Sequence, residues 1–148
     1  MGINEFWEEY KKKSCNDKEY KEAYYFCDNE KDADELAELV LIGQKRGTAS
    51  SYLCYEEEGE EIPKVGDLNI ITDFKGNPKC VVETVNVDII KFKDVPLEFA
   101  KREGEGDSSL EYWKEGHRGF FTRDLESMGK EFTEDMLVVC ESFEVVYK

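Results

Sequence analysis

The sequence predicts one α+β domain, a small open mixed β-barrel with helices inserted between its strands and flanking them. Three observations carry this. The chain has 148 residues, 40% of them hydrophobic and 13% aromatic, which is material for one core. Apolar residues follow strand-like runs at Leu68–Phe74, Lys79–Phe92 and Met136–Tyr147, each bounded by turn residues. Other segments show three- and four-residue apolar spacing, the signature of helices with one buried face. No internal repeat interrupts this pattern.

In chain order, Asn4–Lys13 places Phe6, Trp7 and Tyr10 on one side of a short helix. Asp17–Phe26 repeats the spacing with Tyr20, Ala23, Tyr24 and Cys27 and is expected to be a second helix. Together residues 1–31 read as a helical extension packed on a domain of residues 32–148. Asp32 is placed to cap a third helix, with Glu35 three residues on and Gly43 at its end. Ala33, Leu36, Ala37, Val40 and Leu41 form its buried face.

That helix delivers the loop Gly43-Gln44-Lys45-Arg46-Gly47-Thr48-Ala49-Ser50-Ser51, followed by an extended stretch, Tyr52–Tyr55. Two cations and three hydroxyls in nine residues stand out in a chain of net charge −15. Gly47 lets the backbone turn tightly, so that Lys45 and Thr48 can face one point. Such a point suits an anion, a carbonyl oxygen or a polarised base edge. The alternative is that Gly43 ends the helix and Lys45 and Arg46 sit near its negative end.

Glu56–Glu61 reads as a solvated hairpin tip, and Pro63 with Gly66-Asp67 turns the chain into the Leu68–Phe74 strand. Lys75–Pro78 turns it back into Lys79–Phe92. There Val81, Glu83, Val85 and Val87 share a face, putting Glu83 among apolar neighbours. An unpaired buried carboxylate costs several kcal/mol. Either the opposite face is the core one, or Glu83 has a buried partner, for which Lys45 or Arg46 is the candidate.

Pro96–Arg102 forms a short helix running into Glu103-Gly104-Glu105-Gly106-Asp107, a flexible loop rich in acceptors. Its spacing lacks the ligand positions of a calcium loop. One of its carboxylates is expected to face the cationic loop. Ser108 and Glu111 form a capping box for a helix over Leu110–Phe121, whose stripe holds Leu110, Trp113, His117 and Phe120. His117 is either a hydrogen-bonded core residue or a ligand contact. Gly116 and Gly119 each cost about 1 kcal/mol of helix stability, which fits a close approach by a backbone or a ligand.

The negative charge excludes general duplex DNA binding, whose affinity comes from neutralising phosphates, and a role on anionic lipid surfaces. Five cysteines without a CxxC pair suit free thiols in a reducing cytoplasm. A single histidine and no paired ligands argue against zinc. No apolar run of membrane-spanning length or signal-peptide core occurs, and no cofactor or metal is expected.

The ordered set Gly43-x-Lys45-x-x-Thr48, Ser50-Ser51, Pro63–Asp67, Cys80–Thr84, Glu103–Leu110, Trp113, His117 and Phe120-Phe121 resembles the ASCH domain family. It is most similar to a bacterial branch with an added N-terminal helical segment, and the resemblance covers Asp32–Tyr147. It implies a PUA-like barrel, with a cleft beside the G-x-K loop that takes RNA or a nucleotide- or nucleoside-like ligand. A second implied activity is that of an amidohydrolase cleaving N4-acetylcytidine. There Lys45 would be base, Thr48 nucleophile and Glu103 or Glu105 the orienting acid. The third is a regulatory protein-interaction domain.

As a binding site the same groups divide the work. Lys45 and Arg46 would take a phosphate or carbonyl oxygen, Glu103 or Glu105 a base amino group, and Trp113 or Tyr52 would stack. Ser50 and Ser51 would hold an oxyanion in the enzyme reading. Glu83, Asp107 and His117 complete the expected ligand-facing set. Oligomeric state is left open.

Overall fold

The computed structural model describes residues 1–148. In chain order it contains α1 (Ile3–Ser14), β1 (Ala23–Tyr24), α2 (Glu30–Leu41), β2 (Gly47–Ser51), α3 (Tyr52–Glu58) and β3 (Leu68–Thr72). There follow β4 (Pro78–Lys91), α4 (Leu97–Glu103), α5 (Leu110–Ser127) and β5 (Leu137–Tyr147). The five strands form one open mixed sheet in the order β1-β3-β4-β5-β2. Only β1 and β3 run parallel; β3–β4, β4–β5 and β5–β2 are antiparallel.

All five residues of β3 are buried, because both faces of the sheet are covered there. Phe6, Trp7 and Tyr10 of α1 pack on Leu68, Ile70 and Val81. Leu36, Ala37 and Val40 of α2 pack on Ile71, Cys80, Val82 and Phe143. Adjacent residues such as Ile70 and Ile71 therefore serve opposite helices, as strand alternation requires. A third cluster joins Phe99 and Ala100 of α4 to Trp113 and Phe121 of α5 over Val138 and Cys140. Each such aliphatic or aromatic side chain taken from water contributes about 1.5–3 kcal/mol.

Several local expectations give way. Asp17–Phe26 is not a helix. Its backbone pairs with the open edge of β3, with Lys21 N–H donating to Leu68 O (2.7 Å) and Ile70 N–H to Glu22 O (2.9 Å). Edge donors and acceptors that need partners outweigh a weak helical spacing. Tyr52–Tyr55 is helical rather than extended, and Glu56–Glu58 finish α3 instead of tipping a hairpin. A four-residue apolar run does not distinguish the two states.

Asn29, not Asp32, caps α2: its side chain accepts from Asp32 N–H at 2.9 Å. Ser109, not Ser108, caps α5, and Ser108 sits in the left-handed region at φ 61°. In β5, Leu137 is exposed while Val138–Phe143 are all buried.

Candidate functional site

The G-x-K loop is clamped on two sides. Gly43 leaves α2 at φ 81°, and the N–H groups of Gln44 and Lys45 donate to Leu39 O at 2.9 and 3.1 Å. Arg46 N–H donates to Arg102 O (2.7 Å), and Gln44 Nε2 donates to Gly104 O (2.7 Å). Gly104 has φ 63°, and a Cβ there would overlap the Gln44 carbonyl. Only glycine fits at this junction. Loop and α4 terminus are thereby locked together, which fixes Lys45 against Glu103.

Lys45 is 1% exposed, the one of the loop's two cations that turns inward. Its Nζ donates to Gly47 O (2.8 Å), Glu103 Oε1 (3.1 Å) and Glu105 Oε2 (3.2 Å), so all three ammonium donors are used. It also lies 4.8 Å above the centroid of the Phe26 ring.

Glu103 Oε2 accepts from Trp113 Nε1 and lies 3.1 Å from His117 Nε2. His117 Nδ1 meets Trp113 O at 2.8 Å. Both ring nitrogens thus face acceptors, an arrangement that suits the doubly protonated imidazolium. Two cations then balance two carboxylates.

The electrostatics follow. Burial alone would push Glu103 up, but Lys45, His117 and Trp113 overcome it and hold its carboxyl at about 2. Burial would lower Lys45 and His117, yet the adjacent carboxylates raise both. Glu105 is raised, by burial first and by Glu103 beside it, with Lys45 opposing. Glu103 is the structural carboxylate of the pair and Glu105 the adjustable one.

This network floors a cleft of about 320 Å³. Phe26, Thr48, Glu105, Trp113, His117 and Phe120 line it, and the Trp113 and His117 rings stack at 4.2 Å. Gly116 also borders it and has open space where its side chain would be, so this glycine answers to the cleft and not to a neighbouring backbone. The loop glycines set shape rather than flexibility: Gly106 has φ 58°, and a Cβ there would meet the Tyr112 ring at 2.5 Å.

Ligand atoms of Glu103, Glu105 and His117 lie within 4.8 Å of one another. The Lys45 ammonium bridges the two carboxylates and already supplies them with a counter-charge.

The expected residues separate into two groups. Lys45, Thr48, Glu103, Glu105, Trp113 and His117 come together at the cleft. Five others do not. Glu83 pairs neither Lys45 nor Arg46; it is half-buried opposite Glu144 in the β4–β5 ladder. Register shifts after Val81 and Thr84 break the simple alternation on which its assignment rested.

Arg46 is exposed, and its backbone serves the clamp, accepting from Phe143 N–H at 3.0 Å. Asp107 is an exposed turn residue that accepts from Ser109 N–H. Ser50 bonds Tyr55 Oη at 3.0 Å, and Ser50 and Ser51 line a separate cavity of about 550 Å³ on the far side of Thr48. Sequence reasoning missed Phe26, Tyr112 and Glu141. Only Glu141 carried a signal, as an acid inside the apolar run Val138–Phe143.

The ASCH domain family model matches residues 22–147. The chain belongs to the ASCH domain family. Its fold is the PUA-like one, shared with the crystal structure of an ASCH domain from Lactobacillus crispatus JV V101. That structure is 41% identical, with a TM-score of 0.90 over 98% of this chain and 94% of the other. Protein EF3133 from Enterococcus faecalis V583 is 35% identical, with a TM-score of 0.92 over 98% of this chain and 88% of its own.

A hypothetical protein, PH0355, shares the fold alone, at 22% identity and a TM-score of 0.55 over 86% of this chain and 98% of that one. No curated protein matches the chain. No helix of this ASCH domain is long and apolar enough to cross a membrane, and Cys15, Cys27, Cys54, Cys80 and Cys140 are all free thiols.

Proposed function

We propose that this ASCH domain binds a nucleoside-like small molecule in the Lys45 cleft, with Glu105 accepting hydrogen bonds from the donor edge of its base. One observation carries this reading. Glu105 is the carboxylate of the buried network that reaches the cleft, with its side chain 22% exposed against 2% for Glu103. Aromatic walls at Phe26, Trp113 and Phe120 suit a flat heterocycle.

A phosphate has little to hold it. The Lys45 charge is matched by two carboxylates, and the rim cation Arg123 lies 3.9 Å from Asp28. With a net charge of −15 besides, a nucleoside fits better than a nucleotide or an RNA strand. Residues 1–31 supply the outer wall through Phe26, and the free thiols suit a reducing cytoplasm.

Calorimetry with cytidine tests the proposal. Glu105→Gln removes a charge-assisted hydrogen bond worth about 1.5–3 kcal/mol, so affinity falls about ten- to hundredfold. Arg46→Ala leaves it unchanged. Equal affinity in Glu105→Gln, or no saturable binding by the parent protein, overturns the reading.

The position of Thr48 favours a second reading, hydrolysis of an acylated exocyclic amine. Thr48 lines both cavities, so an amide bound across it would present its carbonyl carbon to the hydroxyl. Lys45, raised and triply bonded, stays protonated and is a poor base. Glu105 would take the Thr48 proton as oxygen attacks carbon and return it to the departing amine; water would then release the acid from the acyl-threonine. Conversion of N4-acetylcytidine to cytidine and acetate, abolished in Thr48→Ala, is the expected outcome. An undiminished rate in that variant excludes the mechanism.

A further inference from the structure

The Lys45 cleft has a neighbour of different character. The cavity of about 550 Å³ beyond Thr48 holds a buried acid, and the one cation on its lining, Lys21, is exposed and forms no ion pair with it. Glu141 is 5% exposed, on the β5 residue directly opposite Thr48 in the ladder. One carboxyl oxygen accepts from Thr84 Oγ1 at 2.6 Å, and no lysine, arginine or histidine pairs with it. A buried carboxylate without a partner is costly, and the side chain lies in the cavity wall.

Further along the same wall, three residues on from Thr48 in β2 and opposite Val138, Ser51 is 2% exposed and its Oγ has no hydrogen-bond partner. A buried polar atom left unpaired where a cavity begins points to a guest that supplies the partner. Tyr24, Tyr55 and Phe120 contribute aromatic surface to the same wall.

We infer that this second cavity is a binding subsite for an alkylammonium group, a primary amine carried on an aliphatic stem. The ammonium would ion-pair with Glu141 and its stem would lie against Tyr24, Tyr55 and Phe120, the environment such a cation prefers. A metal ion fits less well. The one convergent set of metal-ligand atoms in the molecule is Glu103, Glu105 and His117, in the other cleft. Of the other acids on this wall, Glu22, Glu58, Glu60 and Glu61 are exposed, where they attract a cation without enclosing it, while the half-buried Asp67 and Asp124 already accept from Lys64 N–H and Cys54 Sγ.

Burial, together with Asp67 and Glu22, holds Glu141 above the usual carboxylate range despite the Thr84 bond, and an ammonium would relieve that. The subsite stands whether or not the adjoining cleft takes a nucleoside.

The test titrates the isotopically labelled protein with 1,5-diaminopentane and separately with 1,5-pentanediol, at physiological salt, following backbone amides by NMR. The expected result is saturable binding of the diamine, with the largest shifts at Ser51, Thr84 and Glu141. The diol should not bind, and Glu141→Gln should weaken the diamine at least tenfold. Glutamine keeps the size of the side chain and the acceptor for Thr84, so the fold is retained. Shifts that never saturate and spread over the acidic surface overturn the inference. So do equal binding of the diol by the parent protein and undiminished binding in Glu141→Gln.

Discussion

The two sides of Thr48 solve the same problem in opposite ways. On one side Lys45 and Glu103, at 1% exposure each, satisfy one another within the protein. On the other Glu141, at 5% exposure, has a single hydroxyl for company. The first arrangement is completed by elements far apart in sequence, the β2 loop, α4 and α5, and so doubles as the joint that holds them together. The second draws on the β4–β5 ladder alone and leaves a charge for something else to meet. A paired buried charge fixes structure; an unpaired one at a cavity wall is kept for a partner.

The contrast breaks most visibly if the paired side is opened. Lys45→Met strands Glu103 and Glu105, and removing one partner of a buried pair costs about 3–5 kcal/mol. Denaturant unfolding at pH 7 should register that loss, and adding Glu103→Gln should recover part of it. A loss below about 1 kcal/mol, the range of exposed pairs, would mean the network is solvated.

Next in size is the clamp. Gly104→Ala meets both a left-handed backbone and the Gln44 carbonyl, for an expected loss of about 2–4 kcal/mol from conformational strain and overpacking together. Gly116→Ala, on the same cleft but in open space, should be neutral or gain up to about 1 kcal/mol of helix stability.

The smallest effect has the opposite sign. Glu141 is raised, so the stability it lends is present below its unfolded value and lost as pH rises through its folded one. Glu141→Gln should therefore stabilise the protein at pH 7, by about 1 kcal/mol. Glu103 is depressed to about 2, so its contribution is present above 4.5 and lost as pH falls from there toward 2. Glu103→Gln should lower stability at pH 7 and flatten that acid limb. Unfolding curves for the two variants between pH 2 and pH 7 separate these outcomes.

Much of this was legible from residue order. Gly43, Lys45 and Thr48 mark the loop, and Trp113 and His117 lie on one helical stripe, so the outline of the cleft follows from the sequence. Glu103 and Glu105 were both in view, but their division of labour was not, since it depends on which one Trp113 and His117 reach. Glu83 misled because bulges in β4 cancel the alternation that made it look buried. Asp17–Phe26 misled because pairing with the edge of β3 is a long-range fact. Phe26 escaped notice for the same reason: it stands 19 residues before Lys45 and meets it only through the fold.

The most direct test of the account is a crystal structure of the protein with cytidine. The account predicts the ring between the aromatic walls of the Lys45 cleft, its exocyclic amine within hydrogen-bond distance of Glu105, and the Lys45–Glu103 pair unbroken beneath it. A nucleoside bound elsewhere, or one whose carbonyl draws Lys45 away from both carboxylates, would contradict it.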